Sequence, residues 1–184
     1  MAIVLVIRHA EKPDGINLGV DETGAADEQS LTVRGWQRAG AIGALFGSPP
    51  ALPTPDRIYA SAHGKRRTPD GKLGSRSRRP LATVSVLAAV LGLPIDETFA
   101  KGEESALIGH IAGLEGTTLV CWQHEPILAM AAALLGGARG VPSNWPSDRF
   151  DVMWRFTRDA AGQPWRFDQL CQRLLPGDGS KPIT

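Results

Sequence analysis

The stretch Ile3-Val4-Leu5-Val6-Ile7-Arg8-His9-Ala10-Glu11 decides how the rest of the chain is interpreted. It begins with a short aliphatic run, which is typical of a strand buried on both faces at the centre of a parallel sheet. The run ends abruptly in polar residues, and in open α/β sheets ligands bind just beyond the carboxyl ends of the strands. Arg8 offers a rigid fork of donors that suits phosphate, and His9 can act as a nucleophile at neutral pH. We therefore place the candidate chemistry at this strand end.

The composition is that of an ordinary soluble globular protein, with 42% hydrophobic and 21% charged residues. We expect one domain spanning residues 1–184. The formal net charge of +1 argues against general binding to nucleic acid or to a membrane surface. The first apolar run has no basic region before it and stops at Arg8, so it predicts a strand rather than a signal peptide. The longest apolar window, residues 127–138, is too short to cross a bilayer.

The two cysteines, Cys121 and Cys171, have no metal-binding spacing. We expect them to be buried free thiols in a reducing compartment, with a single disulfide as the alternative. Together with the absence of a targeting signal, this predicts a cytoplasmic protein.

Positive charge is concentrated between Ser61 and Arg79. This segment carries +6 and the remainder of the chain carries −5. Its basic residues are Lys65, Arg66, Arg67, Lys72, Arg76, Arg78 and Arg79. A basic loop of this kind, from His63 to Arg78, is usually only solvated, but it could also raise the local concentration of an anionic substrate.

Strand and helix patterns alternate along the first 135 residues. The predicted strands cover residues 3–7, 56–61, 93–99 and 117–122, and the predicted helices cover residues 31–46, 80–91, 103–114 and 126–135. Thr32 is a credible N-cap of the first helix. Residues 12–30 predict a loop, residues 150–156 and 165–170 predict a hairpin at a sheet edge, and the tail from Pro176 is expected to fray. This order predicts an α/β three-layer sandwich, in which helices flank both faces of a mostly parallel sheet.

Three segments place polar residues at the same edge of that sheet. Arg8 and His9 follow the first strand, His124 follows the fourth, and Arg79 lies at the start of a helix, where anions are favoured. Two arginines and two histidines would bind a phosphate dianion while one histidine attacks phosphorus in line. Since phosphoryl transfer needs positioning and charge stabilisation, no metal is required if the arginines supply the charge. We expect neither a metal nor a cofactor.

These residues resemble the motifs of the histidine phosphatase superfamily, which includes the cofactor-dependent phosphoglycerate mutases. Arg8-His9-Ala10 is similar to the family's Arg-His-Gly signature, with the alanine of bacterial members that begin RHAEK. Further motifs follow in the family's order: Leu31-Thr32-x-x-Gly35-x-x-Arg38-Ala39, Tyr59-Ala60-Ser61, Arg79-x-x-x-Thr83 and then His124. The resemblance implies a phosphoglycerate mutase-like fold.

The resemblance also implies a role for each candidate residue. His9 would become a phosphohistidine, and three residues would hold the phosphoryl group through transfer and hydrolysis: Arg8, Arg79 and His124. Arg78 competes with Arg79, but only Arg79 has the motif's spacing to Thr83.

The general acid is less sharply defined by the resemblance. Glu103, after Gly102, aligns best with the acid of small family members. Glu104 is next to it, and Glu11 lies close to the nucleophile in sequence. Glu103 could equally be a plain helix-start residue favoured by the helix dipole.

The leading hypothesis is a metal-independent phosphatase acting on a small phosphorylated metabolite or a phosphoprotein. An alternative of another class is a phosphoryl-binding regulatory module without turnover. A phosphoglycerate mutase is a weaker alternative, because the chain has no long insertion between the Arg79 helix and His124. The substrate and the oligomeric state have no signature in the sequence.

Overall fold

The computed structural model describes residues 1–47, 52–64 and 75–184. Its strands are Ala2–Arg8 (β1), Gly19–Val20 (β2), Leu31–Thr32 (β3), Arg57–Ala60 (β4), Ile95–Asp96 (β5), Gly116–Trp122 (β6), Val152–Arg158 (β7) and Arg166–Cys171 (β8). Its helices are Val33–Gly47 (α1), Arg79–Leu91 (α2), Glu104–Ile111 (α3) and His124–Leu135 (α4).

Strand β1 is buried along its whole length because its successive side chains enter two different hydrophobic cores. Val4 and Val6 pack in the core that contains side chains of α3 and α4. Ile3, Leu5 and Ile7 pack in the core that contains side chains of α1 and α2. Helices therefore cover both faces of the sheet, and the predicted α/β three-layer sandwich is confirmed.

The six-stranded sheet has the order β5-β4-β6-β1-β7-β8. Parallel pairing joins β5 to β4, β4 to β6 and β6 to β1, so the carboxyl ends of these strands share one edge. In the β1–β6 pair, Arg8 lies opposite Trp122. Strand β7 is antiparallel to β1 and to β8, which confirms the hairpin predicted at the sheet edge. The sheet thus brings residues 8–9 and 123–124 to the same place.

Several predicted elements differ in their bounds. Strand β2 lies within the predicted loop and pairs in a small second sheet with β3, whose residues 31–32 were predicted to begin the first helix. The predicted strand over residues 93–99 is reduced to β5, which pairs with β4 through only two register positions. The last predicted helix begins at His124 rather than Pro126, because proline is tolerated in the first helical turn. This earlier start places His124 itself in the helix.

The tail from Pro176 was predicted to fray, and that prediction was wrong. The Asp178 carboxylate accepts hydrogen bonds from the Arg38 guanidinium, with an Nη2–Oδ1 distance of 2.7 Å. Ile183 is buried, and both its amide and its carbonyl are bonded to the Gln169 side chain. A hydrophobic anchor and an ion pair with a distant helix leave no local signal in the tail sequence itself.

Cys121 is buried and Cys171 is half-buried, and both are free thiols, so the disulfide alternative is wrong. In the described parts of the chain, every helix is too short or too polar to cross a membrane.

Candidate active site

The candidate site lies at the carboxyl ends of β1 and β6. The His9 amide donates to the Trp122 carbonyl across a distance of 2.9 Å, which extends the strand pairing by one residue. Both Arg8 and His9 are buried, and His9 is only 4% exposed. The next residue is also fixed, because the Ala10 amide donates to the Thr83 hydroxyl at 2.8 Å.

The His9 ring has a defined tautomer. Its Nδ1 lies 2.8 Å from the Ala10 carbonyl oxygen, and a carbonyl only accepts, so Nδ1 carries the proton and Nε2 has a free lone pair. Burial lowers the pKa of His9 to about 3, and the charges of Arg8, Arg79 and His124 act in the same direction. The Ala10 carbonyl acts in the opposite direction. His9 is therefore a neutral imidazole at pH 7.

Arg8 is held by a loop that follows α4. Its Nη1 donates to three carbonyl oxygens, those of Pro146, Ser147 and Arg149, at 3.2, 2.8 and 3.3 Å. Its guanidinium carbon lies 3.9 Å from the centre of the Phe150 ring. Burial lowers the pKa of Arg8 to about 10, so the group is still a cation at pH 7.

Arg8 retains two donors with no protein acceptor. Its Nε and Nη2 are buried and have no hydrogen-bond partner among the described residues. Arg79 Nε is likewise buried without a hydrogen-bond partner among the described residues, while Arg79 Nη1 donates to the Glu28 carbonyl at 2.9 Å. Buried donors on a cation are costly to leave unpaired, so these atoms favour an anionic ligand.

The Arg79-x-x-x-Thr83 spacing has a direct structural reason. Arg79 begins α2, and the Thr83 hydroxyl one turn later donates to the Arg79 carbonyl at 2.7 Å while accepting from the Ala10 amide. The motif thus ties the arginine to the residue that follows His9. Arg79 is half-buried, whereas Arg78 is exposed and lies 3.5 Å from Glu22. Of the two competing arginines, the charge that acts on the pKa of His9 is that of Arg79.

The Leu31-Thr32-x-x-Gly35 motif also fixes the segment after His9. The amide and hydroxyl of Thr32 donate to the Glu11 carbonyl at 3.0 and 3.3 Å. The same hydroxyl accepts from the Gly35 amide at 3.1 Å, which confirms Thr32 as the N-cap of α1. A Cβ on Gly35 would come within 2.6 Å of the Glu11 carbonyl oxygen, so only glycine allows this approach.

His124 is the first residue of α4, and its side chain is 18% exposed. Burial lowers the pKa of His124, with the Arg8 charge acting in the same direction. Its Nδ1 lies 3.5 Å from Glu125 Oε2. The structure therefore brings His124 into the electrostatic range of Arg8 and His9, as the strand order predicts.

The three carboxylates that sequence reasoning considered as acids have different surroundings. Glu103 precedes α3 and accepts from the Ala100 amide at 2.8 Å. Glu104 accepts from the Trp122 indole at 2.9 Å, and Glu11 is bound by Arg38. The charges that act on the pKa of Arg8 include those of Glu125 and Asp148, neither of which was selected from the sequence.

Sequence reasoning also missed Phe150 and the loop before it. Phe150 contacts the Arg8 guanidinium, and its ring centre lies 6.2 Å from that of His9. In the sequence it was simply the first residue of an alternating strand pattern, so no motif marks it. A cleft of about 390 Å³ opens beside this ring, between residues 11–17 and residues 147–150. Asn17 also lines this cleft.

Two further histidines, His63 and His110, are each bonded to another side chain. His63 is bonded to Glu97 at 2.7 Å, and His110 is bonded to Tyr59 at 3.0 Å. Four residues of the basic loop, Lys65, Arg66, Arg67 and Lys72, lie outside the described residues. Within residues 1–47, 52–64 and 75–184, no group of three or more His, Cys, Asp or Glu side chains could hold a metal ion.

The fold is shared with solved structures of histidine phosphatases. The protein histidine phosphatase SixA complexed with tungstate has a TM-score of 0.59 and 15% identity, over 92% of this chain and 97% of that chain. The mycobacterial glucosyl-3-phosphoglycerate phosphatase Rv2419c has a TM-score of 0.56 and 14% identity, over 90% of this chain and 96% of that chain. A SixA protein from Agrobacterium tumefaciens has a TM-score of 0.51 and 19% identity, over 92% of this chain and 97% of that chain.

At these identities the likeness establishes the fold alone. No family model and no curated protein sequence matches the chain. The chain therefore has the phosphoglycerate mutase-like fold that its motifs predict, and its likeness to RHAEK-type bacterial members stays a prediction.

Proposed function

We propose that this chain is a phosphatase of the histidine phosphatase type, acting on a small phosphorylated metabolite or a phosphoprotein. One observation carries the proposal: the unprotonated Nε2 of His9 lies in a buried site beside Arg8, which has two donors unpaired among the described residues. A neutral nucleophile and a fixed cation are the two parts that phosphoryl transfer requires.

The arginines would bind the phosphoryl oxygens. Arg8 supplies Nε and Nη2, and Arg79 supplies Nε from the start of α2. The positive charges would offset the negative charge on the three equatorial oxygens, so the transfer would need no metal. The tungstate complex of SixA and the phosphate complex of Rv2419c are consistent with this chemistry, because both ligands are tetrahedral oxyanions.

The reaction would proceed in two steps. The Nε2 lone pair of His9 attacks phosphorus, a P–N bond forms, and the P–O bond to the leaving group breaks. The leaving oxygen takes a proton, for which Glu103 stays the predicted donor and Glu125 is the alternative that the geometry adds. Water then attacks phosphorus and gives a proton back to the carboxylate that protonated the leaving oxygen, the P–N bond breaks, and inorganic phosphate leaves while His9 regains its lone pair. His124 would help to hold the phosphoryl group in both steps.

Turnover of 4-nitrophenyl phosphate in the presence of EDTA tests the proposal. We expect wild type to hydrolyse the ester and to trap acid-labile, alkali-stable phosphate. The His9→Ala variant should lose turnover by at least about 10⁴-fold, because the covalent step is removed. His63→Ala is the matched control, since it removes another histidine, whose ring is bonded to Glu97.

Three results would contradict the proposal. Label trapped on another residue would exclude His9 as the nucleophile. Activity abolished by EDTA and restored by a divalent ion would indicate a metal-dependent reaction. Phosphate binding without turnover of any phosphate ester or phosphopeptide would favour the regulatory binding module.

A further inference from the structure

The C-terminal strap, residues 174–184, is bonded to the surroundings of the candidate site at two points. The first is Asp178, whose carboxylate accepts from Arg38 Nη1 and Nη2 at 3.0 and 2.7 Å. The same carboxylate accepts from the amides of Leu174 and Leu175. Burial raises the pKa of Asp178, but the bonds from Arg38 and Leu175 outweigh it and lower the pKa to about 2. Asp178 is therefore an anion at pH 7.

Arg38 continues this connection toward the nucleophile. It is 2% exposed, and its Nε and Nη2 also donate to the Glu11 carboxylate, with a shortest distance of 2.7 Å. Glu11 is two residues beyond His9, and its negative charge acts on the pKa of Arg8. Arg38 thus holds an acidic side chain in place beside a site for anions.

The second point of attachment is Asp151. Its Oδ2 accepts from the Gly179 amide, and its Oδ1 accepts from Arg149 Nε at 2.7 Å. Arg149 Nη2 in turn donates to the Lys181 carbonyl at 2.9 Å. A Cβ on Gly179 would lie only 3.0 Å from Arg149 Nη2, so the strap passes close against this pair.

Arg149 and Asp151, the two residues bonded to the strap, flank Phe150 in the sequence and support Arg8. The Arg149 carbonyl accepts from Arg8 Nη1 at 3.3 Å and from the Trp145 indole at 2.8 Å. Phe150 lies against the Arg8 guanidinium. Any displacement of this loop would therefore rotate the free Nε and Nη2 of Arg8 away from their present direction.

We propose that Asp178 is a positioning residue for oxyanion binding: through Arg38 and the strap it fixes Glu11 and the loop that holds Arg8. The inference deepens the proposed function, on which it rests for the identity of the bound group as a phosphoryl group. Its test measures oxyanion binding directly and needs no turnover.

The test is the affinity of the full chain for tungstate and for orthophosphate, measured by calorimetry about 20 °C below the melting temperature. In Asp178→Asn the shape of the side chain is kept and its charge is removed. Removing a negative charge near a cationic site would by Coulomb attraction alone tighten anion binding. We expect the opposite, a Kd about ten-fold weaker, because a misplaced guanidinium loses its alignment with the oxyanion. The sign of the change therefore separates positioning from charge.

Asp159→Asn is the matched control, because it breaks an exposed Asp–Arg pair with Arg166. We expect no change in its Kd. Gly179→Ala is a second variant, which displaces Arg149 without changing any charge and should weaken binding in the same direction. It decides the matter if Asp178→Asn does not fold.

Tighter binding by Asp178→Asn would overturn the proposal in favour of a charge effect. A lower melting temperature with unchanged Kd in both variants would overturn it in favour of a purely structural role. If wild type binds tungstate but turns over no phosphate ester, the proposed function fails while the binding comparison still decides the role of Asp178.

Discussion

Two histidines follow two neighbouring parallel strands, and they differ in exposure and in the groups around their rings. His9 follows β1, is 4% exposed, and has its Nδ1 committed to the adjacent carbonyl oxygen. His124 follows β6, has a side chain that is 18% exposed, and lies 3.5 Å from the carboxylate of Glu125. The strands are in register, with Arg8 opposite Trp122, so the difference comes from what happens after each strand ends.

After β1 the chain continues as an extended segment that other elements hold. The Thr83 hydroxyl binds the Ala10 amide, and Thr32 binds the Glu11 carbonyl. After β6 the chain turns directly into α4, and His124 is its first residue. A residue in a held segment keeps one tautomer and one direction, which suits a nucleophile. A half-buried residue at the start of a helix can donate or accept a hydrogen bond, which suits a group that stabilises the transferred phosphoryl.

The largest effect that separates the two histidines is expected in His124→Ala. We predict that kcat falls by about 10²–10³-fold, the usual loss when one transition-state donor is removed. The trapped phosphohistidine should still form, because His9 Nε2 is intact. Rapid-quench measurement of labelled enzyme and released phosphate checks both statements.

If His124→Ala instead traps no label while His9→Ala does, the assignment of the two roles is reversed. Gln123→Ala is a suitable control beside His124, since Gln123 bonds to the Ser61 hydroxyl at 3.2 Å. Its kcat should change far less than that of His124→Ala.

The contrast also shows which parts of the site a sequence can predict. Arg8, His9 and Arg79 were predicted because the strand ends, the helix start and the motif spacings are local patterns. Part of the structural reason is local as well, because the Thr83 hydroxyl donates to the Arg79 carbonyl one turn earlier in α2. By contrast, the carbonyls of Pro146, Ser147 and Arg149 that accept from Arg8 lie about 140 positions away in the sequence. No spacing rule encodes such a contact.

The fold shows the same difference between local sequence patterns, which are predictable, and long-range contacts, which are not. The burial of β1 on both faces was predictable from its unbroken apolar run, and the edge hairpin was predictable from its period-two alternation. The ordered tail was not, because Asp178 is an ordinary polar residue until Arg38 of α1 lies beside it. Long-range ion pairs of this kind arise from the packed structure and have no signature in either segment.

A smaller effect is expected on the free energy of unfolding, and it comes from His9. The pKa of His9 falls from 6.5 to about 3 on folding, mainly through burial. Below pH 6.5 the unfolded chain therefore binds a proton that the folded chain does not, so this contribution to stability is lost as the pH falls. Between pH 7 and pH 5 we predict a loss of about 2 kcal/mol from this group.

Urea unfolding of wild type and His9→Gln at both pH values measures this loss. Wild type should lose about 2 kcal/mol more than the variant over that interval. The comparison removes the contribution of all other titrating groups. Equal losses in the two proteins would mean that His9 is not desolvated as the structure indicates.

The smallest effect is expected from the basic loop, which precedes Arg79 and would act on neither histidine directly. Its charged residues Lys65, Arg66 and Arg67 lie outside the described residues, so the prediction rests on the sequence. A positive field near the cleft would raise the local concentration of an anionic substrate before it contacts His9 or His124. Such a field changes kcat/KM and leaves the chemical step alone.

Neutralising Lys65, Arg66 and Arg67 together should therefore lower kcat/KM several-fold at low salt for a polyanionic substrate. The loss should shrink for a small aryl phosphate, which carries less charge. It should also fade with added salt, because exposed charges are screened beyond about 8 Å at physiological ionic strength. If the triple variant matches wild type at every ionic strength, the loop is merely solvated. If kcat falls instead, the loop is part of the scaffold that holds Arg79. Its effect would then be greater on the attack of His9 on phosphorus than on the capture of the substrate.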